Sequence, residues 1–558
     1  MISNDEISNN FSLLAKLMDI HGENSFKAKS YAAAAFSVDK VLTPLSEMPQ
    51  NAIFSIKGIG ESAGNRIIEM LQTGKLQILE DIIQNTPPGI LEMLKIKGIG
   101  PKKIATIWKE LEIETLGELL YACNENRLTL YKGFGEKTQQ NIKESIEFYM
   151  GTMGRYLYQQ VESFSKELEK ILTTSLPFTF QLTGEMRRQM EIIDSIDWVT
   201  NANSESLKAF MNSISFQLKE ENESKLSFKN EQNITVQFWL ANQDNFQSVL
   251  FETSCSEEFL NEWSHSTQWD KSAVYPMEDA IFSTYNCCPI PPCQRESASI
   301  INLAKQNIIP STINVEDIAG IIHSHSTWSD GGNSLAEMAK SAIEKGMQYL
   351  VISDHSKSAF YANGLSIERV ADQHKEIDQL NQQLAPFKIF KSIESDILND
   401  GSLDYPDEIL SSFDLIIASV HSNLKMNAEK ANARLLKAIE NKYTSILGHM
   451  TGRLLLSRAG YPINHELIID ACVANNVVIE LNAHPRRLDI DWRWIKKALD
   501  KNVLISINPD AHTIDGYEDC KYGVLVAQKA GLSKNQNLSS FNVTQFEQFV
   551  QIQQNKRS

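Results

Sequence analysis

The stretch IIHSHSTWSDGGNS, residues 321–334, places His323, His325 and Asp330 directly after a short apolar run. Successive side chains of a strand point to opposite faces, so the HxH spacing predicts both imidazoles on the same face. Two of the eleven histidines of the chain would then lie side by side at the end of one strand. A lone histidine there is usually a satisfied polar residue, whereas a pair followed by a carboxylate favours a metal site.

Six later segments repeat this arrangement of an apolar strand with a histidine or a carboxylate at its end, and helical segments such as SLAEMAKSAIEKG separate them. They are YLVISDH (349–355), KIFKSIESDI (388–397), LIIASVHS (415–422), SILGHM (445–450), VVIELNAH (477–484) and VLISINPDAH (503–512). This alternation predicts a parallel α/β barrel. The carboxyl ends of the strands of such a barrel lie on one face, where barrel enzymes carry their active sites. We therefore expect the terminal side chains to converge.

Nine side chains at these strand ends are the candidate metal ligands. They are His323, His325, Asp330, His355, Glu394, His421, His449, Asp510 and His512. A mixture of imidazole and carboxylate suits Zn²⁺, Mn²⁺ or Fe²⁺. His374 and His465 lie in helical segments and are interpreted as solvated side chains. His484 could be a metal ligand or a solvated side chain.

These residues closely resemble the motifs of the PHP phosphoesterase family: HxHxxxSD, DH, a strand glutamate, SVH, GH and DxH. The resemblance implies a distorted (β/α)7 barrel with two or three divalent ions, Mn, Zn or Fe, and with Asp330, His355 and Glu394 as catalytic residues. Clustered ions lower the pKa of a bound water and offset the charge of a phosphate, which is the chemistry of metal-assisted phosphoester hydrolysis. Arg453 and Arg458 in TGRLLLSR are candidate phosphate-binding residues or, alternatively, members of surface ion pairs.

A threefold repeat occupies the first 150 residues: IKGIGESAGNRI from Ile56, IKGIGPKKIATI from Ile96 and YKGFGEKTQQNI from Tyr131. Two glycines permit a tight turn, and the following helix N-terminus favours an anion such as a DNA phosphate. The predicted DNA-binding residues are the lysines and glycines of these turns: Lys57, Gly58, Gly60, Lys97, Gly98, Gly100, Lys102, Lys103, Lys132, Gly133, Gly135 and Lys137. The alternative is a set of helix connections with glycine caps. The pattern resembles the helix-hairpin-helix motif of DNA repair proteins, and three copies favour binding of the DNA backbone without sequence readout.

The middle of the chain has mixed character. SFQL (215–218) and VQFWL (236–240) are predicted strands, VESFSKELEKIL (161–172) is a predicted helix, and NCCPIPPCQRE (286–296) is predicted to be an extended linker.

The order of these parts resembles the bacterial family X DNA polymerases of the PolX type over essentially the whole chain. The resemblance implies a multidomain protein with an all-α helix-hairpin-helix region (1–150), an α+β nucleotidyltransferase-like palm and thumb region (151–285), a proline-containing linker (286–316) and a PHP domain (317–558).

That resemblance also implies a polymerase site, which is degenerate in this chain. The family uses a Gly-Ser pair, an arginine-rich turn, an Asp-x-Asp pair and a third aspartate on a neighbouring strand. The matching positions in and after LTGEMRRQMEIIDSIDWV are Gly184, Glu185, Arg187, Arg188, Ser195, Asp197 and Gln237. Two of three metal carboxylates are replaced, so we expect no productive use of Mg²⁺ there. The lyase lysine of the family corresponds to Arg66, which stays protonated and cannot form a Schiff base.

Composition limits the location and the partners of the protein. The net charge of −17 excludes nucleic-acid binding through the overall field, so DNA contacts must be local. Seven cysteines without paired spacing indicate free thiols in a reducing compartment. The N-terminus MISNDEISNN lacks the features of a signal peptide, and no apolar run approaches the ~18 to 20 residues of a membrane span. We therefore expect a cytoplasmic protein without a membrane partner.

The predicted function is DNA repair by metal-dependent phosphodiester hydrolysis at DNA 3′ ends, as a 3′-5′ exonuclease or an end-cleaning enzyme, with polymerase activity lost. The expected partner is gapped DNA or DNA with a free 3′ end. Two alternatives are an active family X DNA polymerase with a PHP exonuclease and a small-molecule phosphatase similar to histidinol phosphatase. A non-enzymatic DNA scaffold is least favoured because it does not explain nine candidate ligands. The sequence indicates no oligomeric state.

Overall fold

The computed structural model describes residues 2–124, 127–152, 154–456 and 459–557. The chain divides into two units, Met1–Met153 and Gly154–Ser558. Each unit has its own apolar core, and each is described by itself. Within the described residues, no helix combines the length and the apolar character that crossing a membrane would require.

The first unit is helical. Its helices are α1 (Asn4–His21), α2 (Ser25–Asp39), α3 (Gln50–Ile53), α4 (Glu61–Thr73), α5 (Gln77–Gln84), α6 (Pro88–Met93), α7 (Pro101–Lys109), α8 (Leu116–Asn124) and α9 (Glu136–Thr152). A capping box between Ser3 and Glu6 starts α1. Phe11 of α1 stacks on Tyr31 of α2, with ring centroids 5.6 Å apart, in the core of the unit.

Three glycine turns of the same conformation lie in this unit. The left-handed glycines are Gly58 (φ +94°), Gly98 (φ +89°) and Gly133 (φ +94°). Other L-residues adopt such angles only with strain. Helices α4, α7 and α9 each begin one residue after the second glycine of the turn, as the repeats predict. The three glycine turns, each followed by a helix, are found as the repeats predict.

The second unit begins with a small α+β region. Its elements are β1 (Tyr156–Leu157), α10 (Tyr158–Ser175), β2 (Phe180–Thr183), α11 (Gly184–Arg187), β3 (Ile192–Ile193), β4 (Ile196–Thr200), α12 (Ser204–Ser213), β5 (Gln217–Glu221), β6 (Lys225–Lys229) and β7 (Thr235–Leu240). Five strands form one sheet in the order β2-β4-β7-β6-β5, in which only β4 and β7 pair in parallel. The strand predicted from Ser215 begins two residues later, because Ser215 itself has a left-handed backbone with φ +66°.

A helical cluster follows, formed by α13 (Phe246–Thr253), α14 (Glu257–Thr267), α15 (Glu278–Thr284) and α16 (Ser299–Lys305). The proline-containing segment is folded into this cluster and is not an extended linker. Cys287 and Ile290 are buried in the same core as Phe251. Arg295 is 1% exposed and donates to Oε1 of Glu278 at 2.6 Å. Buried side chains therefore anchor this segment while Pro289 and Pro291 stay exposed, and these packing contacts are not visible in the local pattern.

The rest of the chain is a parallel barrel. Its elements are β8 (Gly320–Ile321), α17 (Leu335–Glu344), β9 (Tyr349–Ile352), α18 (Ile367–Leu384), β10 (Lys388–Asp396), α19 (Asp407–Leu410), β11 (Leu415–Ser419), α20 (Ala428–Ile439), β12 (Ile446–Leu447), α21 (His465–Asn475), β13 (Val478–Asn482), α22 (Trp492–Asp500), β14 (Ile505–Asn508), α23 (Cys520–Lys529) and α24 (Val543–Asn555). The seven strands pair in chain order from β8 to β14. A parallel bridge between Ser324 and Ala511 joins the two edges, so the barrel is nearly closed. The predicted (β/α)7 barrel is confirmed.

Apolar side chains fill the interior of the barrel, and a helix covers one of its ends. Along β9, Tyr349 and Val351 belong to the interior cluster, while Leu350 and Ile352 face the surrounding helices. Phe546 of α24 stacks on Tyr349 with ring centroids 4.3 Å apart. Because Tyr349 is the first residue of β9, α24 covers the amino end of the barrel. The carboxyl ends of the strands remain for the functional side chains.

Candidate metal centre and DNA-binding turns

His323 and His325 are brought together by a turn. Strand β8 ends at Ile321, and His323 has a left-handed backbone with φ +64°. The N–H of His325 donates to the carbonyl of Ala511 at 2.8 Å, which fixes the turn against the end of β14. The two rings are fully buried, with centroids 5.3 Å apart. The two imidazoles are neighbours, as expected. The predicted cause, alternation of side chains along a strand, is wrong, because both residues lie in the turn that follows β8.

The structure brings all nine predicted ligands together at the carboxyl end of the barrel. Eight of them form three overlapping groups whose candidate ligand atoms lie within 4.8 Å of one another: His325, Asp330, His355 and His512; His323, His325 and Asp510; His355, Glu394 and His421. The ninth, His449, has its Nε2 3.0 Å from Oε1 of Glu394. Three groups that share members are suited to several ions held close together.

Glu394 occupies the middle of the cluster. Its Oε1 lies 3.1 Å from Nε2 of His421 and 3.3 Å from Nε2 of His323. Its Oε2 lies 3.0 Å from Nδ1 of His355. Its two oxygens face different imidazoles, so Glu394 would help to hold more than one ion if ions bind here.

The donor set fits divalent metal ions. Among the described residues, Nδ1 of His325 and Nδ1 of His449 are buried without a hydrogen-bond partner. An unpaired buried polar atom costs about 1 to 3 kcal/mol, so nitrogens of this kind mark a place where another partner is expected. Nε2 of His323 faces two carboxylates, Glu394 at 3.3 Å and Asp510 at 3.4 Å. Clustered imidazole nitrogens and carboxylate oxygens are the ligands that Zn²⁺, Mn²⁺ and Fe²⁺ take.

Two further carboxylates orient the candidate ligands from behind. Oε2 of Glu480 lies 2.6 Å from Nδ1 of His323, and Oδ1 of Asp396 lies 2.5 Å from Nδ1 of His421. Such partners fix the ring orientation and raise the basicity of a ligating histidine. The sequence reasoning missed both. The signal for Glu480 is a charged residue inside the apolar strand VVIELN, and Asp396 follows Glu394 by two residues.

Asp354 orders the loop that carries Asp330. It is fully buried and accepts hydrogen bonds from the hydroxyls of Ser326 at 2.7 Å and Ser329 at 2.5 Å. Gln373 of α18 donates to it at 2.6 Å. These bonds lock the HSTWSD segment, so Asp330 projects from a rigid loop beside the histidines.

Mutual charge sets the protonation of the cluster. Burial opposes the charge of Glu394, but the imidazoles of His421 and His323 outweigh it and hold the pKa of Glu394 well below its usual range. Burial also opposes protonation of His421, yet the carboxylates of Glu394 and Asp396 raise its pKa to about 10. For His325, burial together with the neighbouring His355 lowers the pKa to about 3. The protein alone therefore balances its buried carboxylates with protons, which metal ions would displace.

Arg453, expected either to bind phosphate or to form an ion pair, forms an ion pair in the structure. Its guanidinium pairs with Asp491 and donates to the carbonyl of Arg487 at 2.9 Å. These contacts tie its side chain to the segment 487–491. Arg458 lies outside the described residues. A basic group that the sequence reasoning missed is Arg487, whose Nε lies 3.6 Å from Oδ2 of Asp510.

The other histidines of the barrel have distinct surroundings. His374 is not solvated: it packs edge-on against Phe413, and burial lowers its pKa to about 4. His465 stacks on Trp494 with ring centroids 4.3 Å apart. His484 lies on the cluster side, and burial together with nearby arginines outweighs the pull of Asp510 and lowers its pKa.

The polymerase-like residues lie on the sheet of the α+β region. Asp197 of β4 pairs in register with Gln237 of β7, so the third carboxylate position holds an amide. The hydroxyl of Ser195 donates to Asp197 at 2.6 Å. Burial raises the pKa of Asp197, which disfavours its charged form. A Cβ on Gly184 would stand 2.8 Å from the Asp197 carboxylate, so the glycine allows close approach there.

The charged neighbours of this sheet are engaged with protein groups. Arg187 pairs with Glu278 at 2.6 Å, and Arg188 pairs with Glu296 at 2.9 Å. Glu185 accepts the backbone N–H of Asp194 at 2.6 Å.

The basic residues of the glycine turns are presented to solvent. Lys57, Lys97 and Lys132, which precede the left-handed glycines, are all exposed. At the position expected for a lyase lysine, Arg66 pairs with Glu69 at 2.5 Å.

Family profiles match the two ends of the chain. A profile described as helix-hairpin-helix domain matches residues 2–76, and one described as SAM-like helix-hairpin-helix tandem matches residues 90–147. A PHP domain profile matches residues 322–484.

A curated relative matches nearly the whole chain. It is the DNA polymerase/3'-5' exonuclease PolX of Bacillus subtilis (strain 168), 32% identical over 96% of this chain and 97% of the relative. The chain belongs to the PolX family. Probable phosphatases of Thermoanaerobacter sp. (strain X514) and Caldanaerobacter subterraneus share 25% and 26% identity over 38% and 34% of the chain. These alignments span 230 and 207 residues, which is 86% and 74% of the two phosphatases.

Membership of the PolX family assigns the coarse chemistry of the chain. PHP domains are metal-dependent, and the buried histidine and carboxylate groups described above could hold the ions. The helix-hairpin-helix domains indicate DNA binding. The chain is therefore a DNA-acting enzyme with a phosphoesterase domain.

Proposed function

We propose that this protein hydrolyses phosphodiester bonds at DNA 3′ ends with its PHP domain, using two or three Mn, Zn or Fe ions held by the nine converging side chains. The observation that carries the proposal is the convergence itself, in three overlapping groups with candidate ligand atoms within 4.8 Å. Bound ions supply a nucleophilic water at neutral pH and offset charge on the phosphate. The name of the Bacillus subtilis relative includes 3'-5' exonuclease, which supports the direction of trimming.

Substrate would enter at the most open side of the cluster. The side chains of Asp330 and His512 are 33% and 41% exposed, whereas those of His323, Glu394 and His449 are 1% exposed or less. In this proposal the buried ligands hold the metal ions, and the more exposed Asp330 and His512 face the reacting phosphate. Arg487, whose side chain is 21% exposed and whose Nε lies 3.6 Å from Oδ2 of Asp510, is a further candidate phosphate-binding residue beside Arg453 and Arg458.

We propose further that the polymerase-like region no longer synthesises DNA. Two-metal nucleotidyl transfer needs several carboxylates, and the register offers Asp197 beside Gln237. The two arginines that would meet a triphosphate are paired with Glu278 and Glu296. In this proposal residues 151–285 position DNA, residues 1–150 hold its backbone and residues 317–558 cut it. The domain boundaries remain predictions, except that the segment from residue 286 packs with the helical cluster and is not a separate linker.

The nuclease is tested with end-labelled DNA. Asp330→Asn should lower the rate of nucleotide removal by at least about 100-fold, equivalent to about 2.7 kcal/mol. The matched control is Asp372→Asn on the exposed face of α18, where Asp372 pairs with Lys375 and, within the described residues, with no other cation. Hydrolysis of histidinol phosphate without any cutting of DNA would instead support the small-molecule phosphatase.

Loss of synthesis is tested by primer extension with Mg²⁺ and with Mn²⁺. A His355→Ala background removes trimming that would mask extension. We expect no template-dependent lengthening. Extension that disappears on Asp197→Ala would show that the polymerase site is active and that another carboxylate substitutes.

A further inference from the structure

An exposed aromatic side chain lies on the turn that follows His355, one of the candidate metal ligands. Phe360 is 88% exposed, more than any other phenylalanine in the described residues. Its neighbours Ala359 and Ala362 are 0% and 1% exposed. The turn is therefore packed into the protein on one side and presents a bare ring on the other. Nothing in the hydrolytic chemistry of the cluster uses this ring.

The turn that carries Phe360 is rigid. It leaves the barrel at His355 and returns at Leu365, whose N–H donates to the carbonyl of His355 at 2.9 Å. The N–H of Gly364 closes the turn on Ala359 at 3.1 Å. A Cβ on Gly364 would stand 1.9 Å from the carbonyl oxygen of Ser356, so only glycine permits this closure.

The same turn is bonded to the metal centre. The hydroxyl of Ser358 donates to Oδ2 of Asp396 at 2.6 Å. The other oxygen of that carboxylate holds Nδ1 of His421 at 2.5 Å. The position of Phe360 is thus tied to two candidate ligands, His355 through the backbone and His421 through Asp396.

Phe360 lies within the length of a few nucleotides of the cluster. It follows His355 by five residues, and an extended chain spans at most about 3.6 Å per residue, so the two Cα atoms are no more than about 18 Å apart. The closed turn shortens this distance. Bases repeat every 3.4 Å along a strand of duplex DNA. Lys357, exposed on the same turn, adds a positive charge suited to a phosphate.

We propose that Phe360 stacks on an unpaired nucleobase near the 3′ end of the strand being trimmed and so positions the scissile phosphodiester. An aromatic ring binds any base through its face, which suits an enzyme that removes nucleotides regardless of sequence. The ring also gives the PHP domain a means of favouring nucleic acid over small phosphate esters. This inference rests on the proposed nuclease function and adds its substrate determinant.

The test compares wild type, Phe360→Ala and Phe360→Trp as full-length Mn²⁺-loaded protein on single-stranded oligonucleotides. Stacking on an aromatic ring contributes enough that Phe360→Ala should lower kcat/KM by about 5- to 100-fold, mainly through KM, while Phe360→Trp retains it. The matched control is Ile552→Ala, a 61% exposed apolar side chain on α24, which should act as wild type does. Metal content and thermal unfolding verify that the variants are loaded and folded.

A second substrate isolates the base. On an oligonucleotide whose last three nucleotides are abasic, the difference between wild type and Phe360→Ala should narrow to within about twofold, because no base remains to stack. If wild type trims DNA and Phe360→Ala trims it equally well, the stacking role is wrong and the nuclease stands. If the penalty persists on the abasic end, Phe360 acts on the fold or the metals and the inference also fails. If wild type hydrolyses phosphate esters without trimming DNA, the proposed function fails with it.

Discussion

Replacing Glu480 by glutamine would change one buried charge at almost constant volume. The carboxylate is fully buried and accepts four hydrogen bonds. The donors are Nδ1 of His323 at 2.6 Å, the backbone N–H of His449 at 3.0 Å, Nδ2 of Asn482 at 3.1 Å and Nδ2 of Asn508 at 2.8 Å. A glutamine side chain accepts through one oxygen only, so its NH₂ group would face two of these donors.

Two separate losses follow. Without a charged acceptor behind it, His323 becomes a weaker and less oriented ligand, and loss of such an outer partner lowers metal affinity by about 10- to 100-fold. That corresponds to about 1.4 to 2.7 kcal/mol of binding free energy. Donors left without acceptors also destabilise the metal-free protein, by about 1 to 3 kcal/mol.

Isothermal titration of the metal-free protein with Mn²⁺ and thermal unfolding of the same samples measure the two losses independently. The control is Glu466→Gln on α21, an exposed residue that pairs with Lys497 at 2.6 Å. Wild-type Mn²⁺ affinity in Glu480→Gln, with or without a fall in the unfolding temperature, would refute the reasoning. Glu480 would then serve the barrel and not the metal centre.

Three other outcomes are expected. Lys529→Met removes a buried cation that donates to Glu296 at 3.1 Å and to the carbonyl of Arg188 at 2.7 Å. Because Arg188 still pairs with Glu296, the loss should cost about 1 to 3 kcal/mol in denaturant unfolding, and an unchanged midpoint would contradict it. His374→Phe should flatten the pH dependence of unfolding. Burial lowers the folded pKa of His374 to about 4, so its contribution is present above the ordinary value of 6.5 and is lost as the pH falls through 4, an effect that phenylalanine abolishes. Lys97→Gln should reduce the slope of log affinity for DNA against log salt concentration by about 0.9. A slope identical to that of the wild type would show that the second glycine turn does not contact DNA.

The sequence alone predicted features that depend on local pattern. Strand and helix periodicity, with a polar residue at each strand end, was sufficient for the parallel barrel and for the convergence of His355, Glu394 and His449. The repeated glycine pairs predicted three turns of one conformation, because only glycine tolerates the φ of +94° found at Gly58. The resemblance to the family X polymerases placed Gln237 at the third carboxylate position on a strand next to Asp197, and the two residues are paired in the sheet.

Only the tertiary structure decided which partners these residues have. Glu480 meets His323 across 157 residues of chain, and Arg187 meets Glu278 across 91. Such pairs leave no periodic signal, since each residue alone is an ordinary charged side chain. The same holds for Phe360, whose exposure is known only once its neighbours Ala359 and Ala362 are seen to be buried. Local spacing thus specifies which side chains stand at the end of each strand. The closing of the barrel decides which charged residues, distant in sequence, contact and orient them.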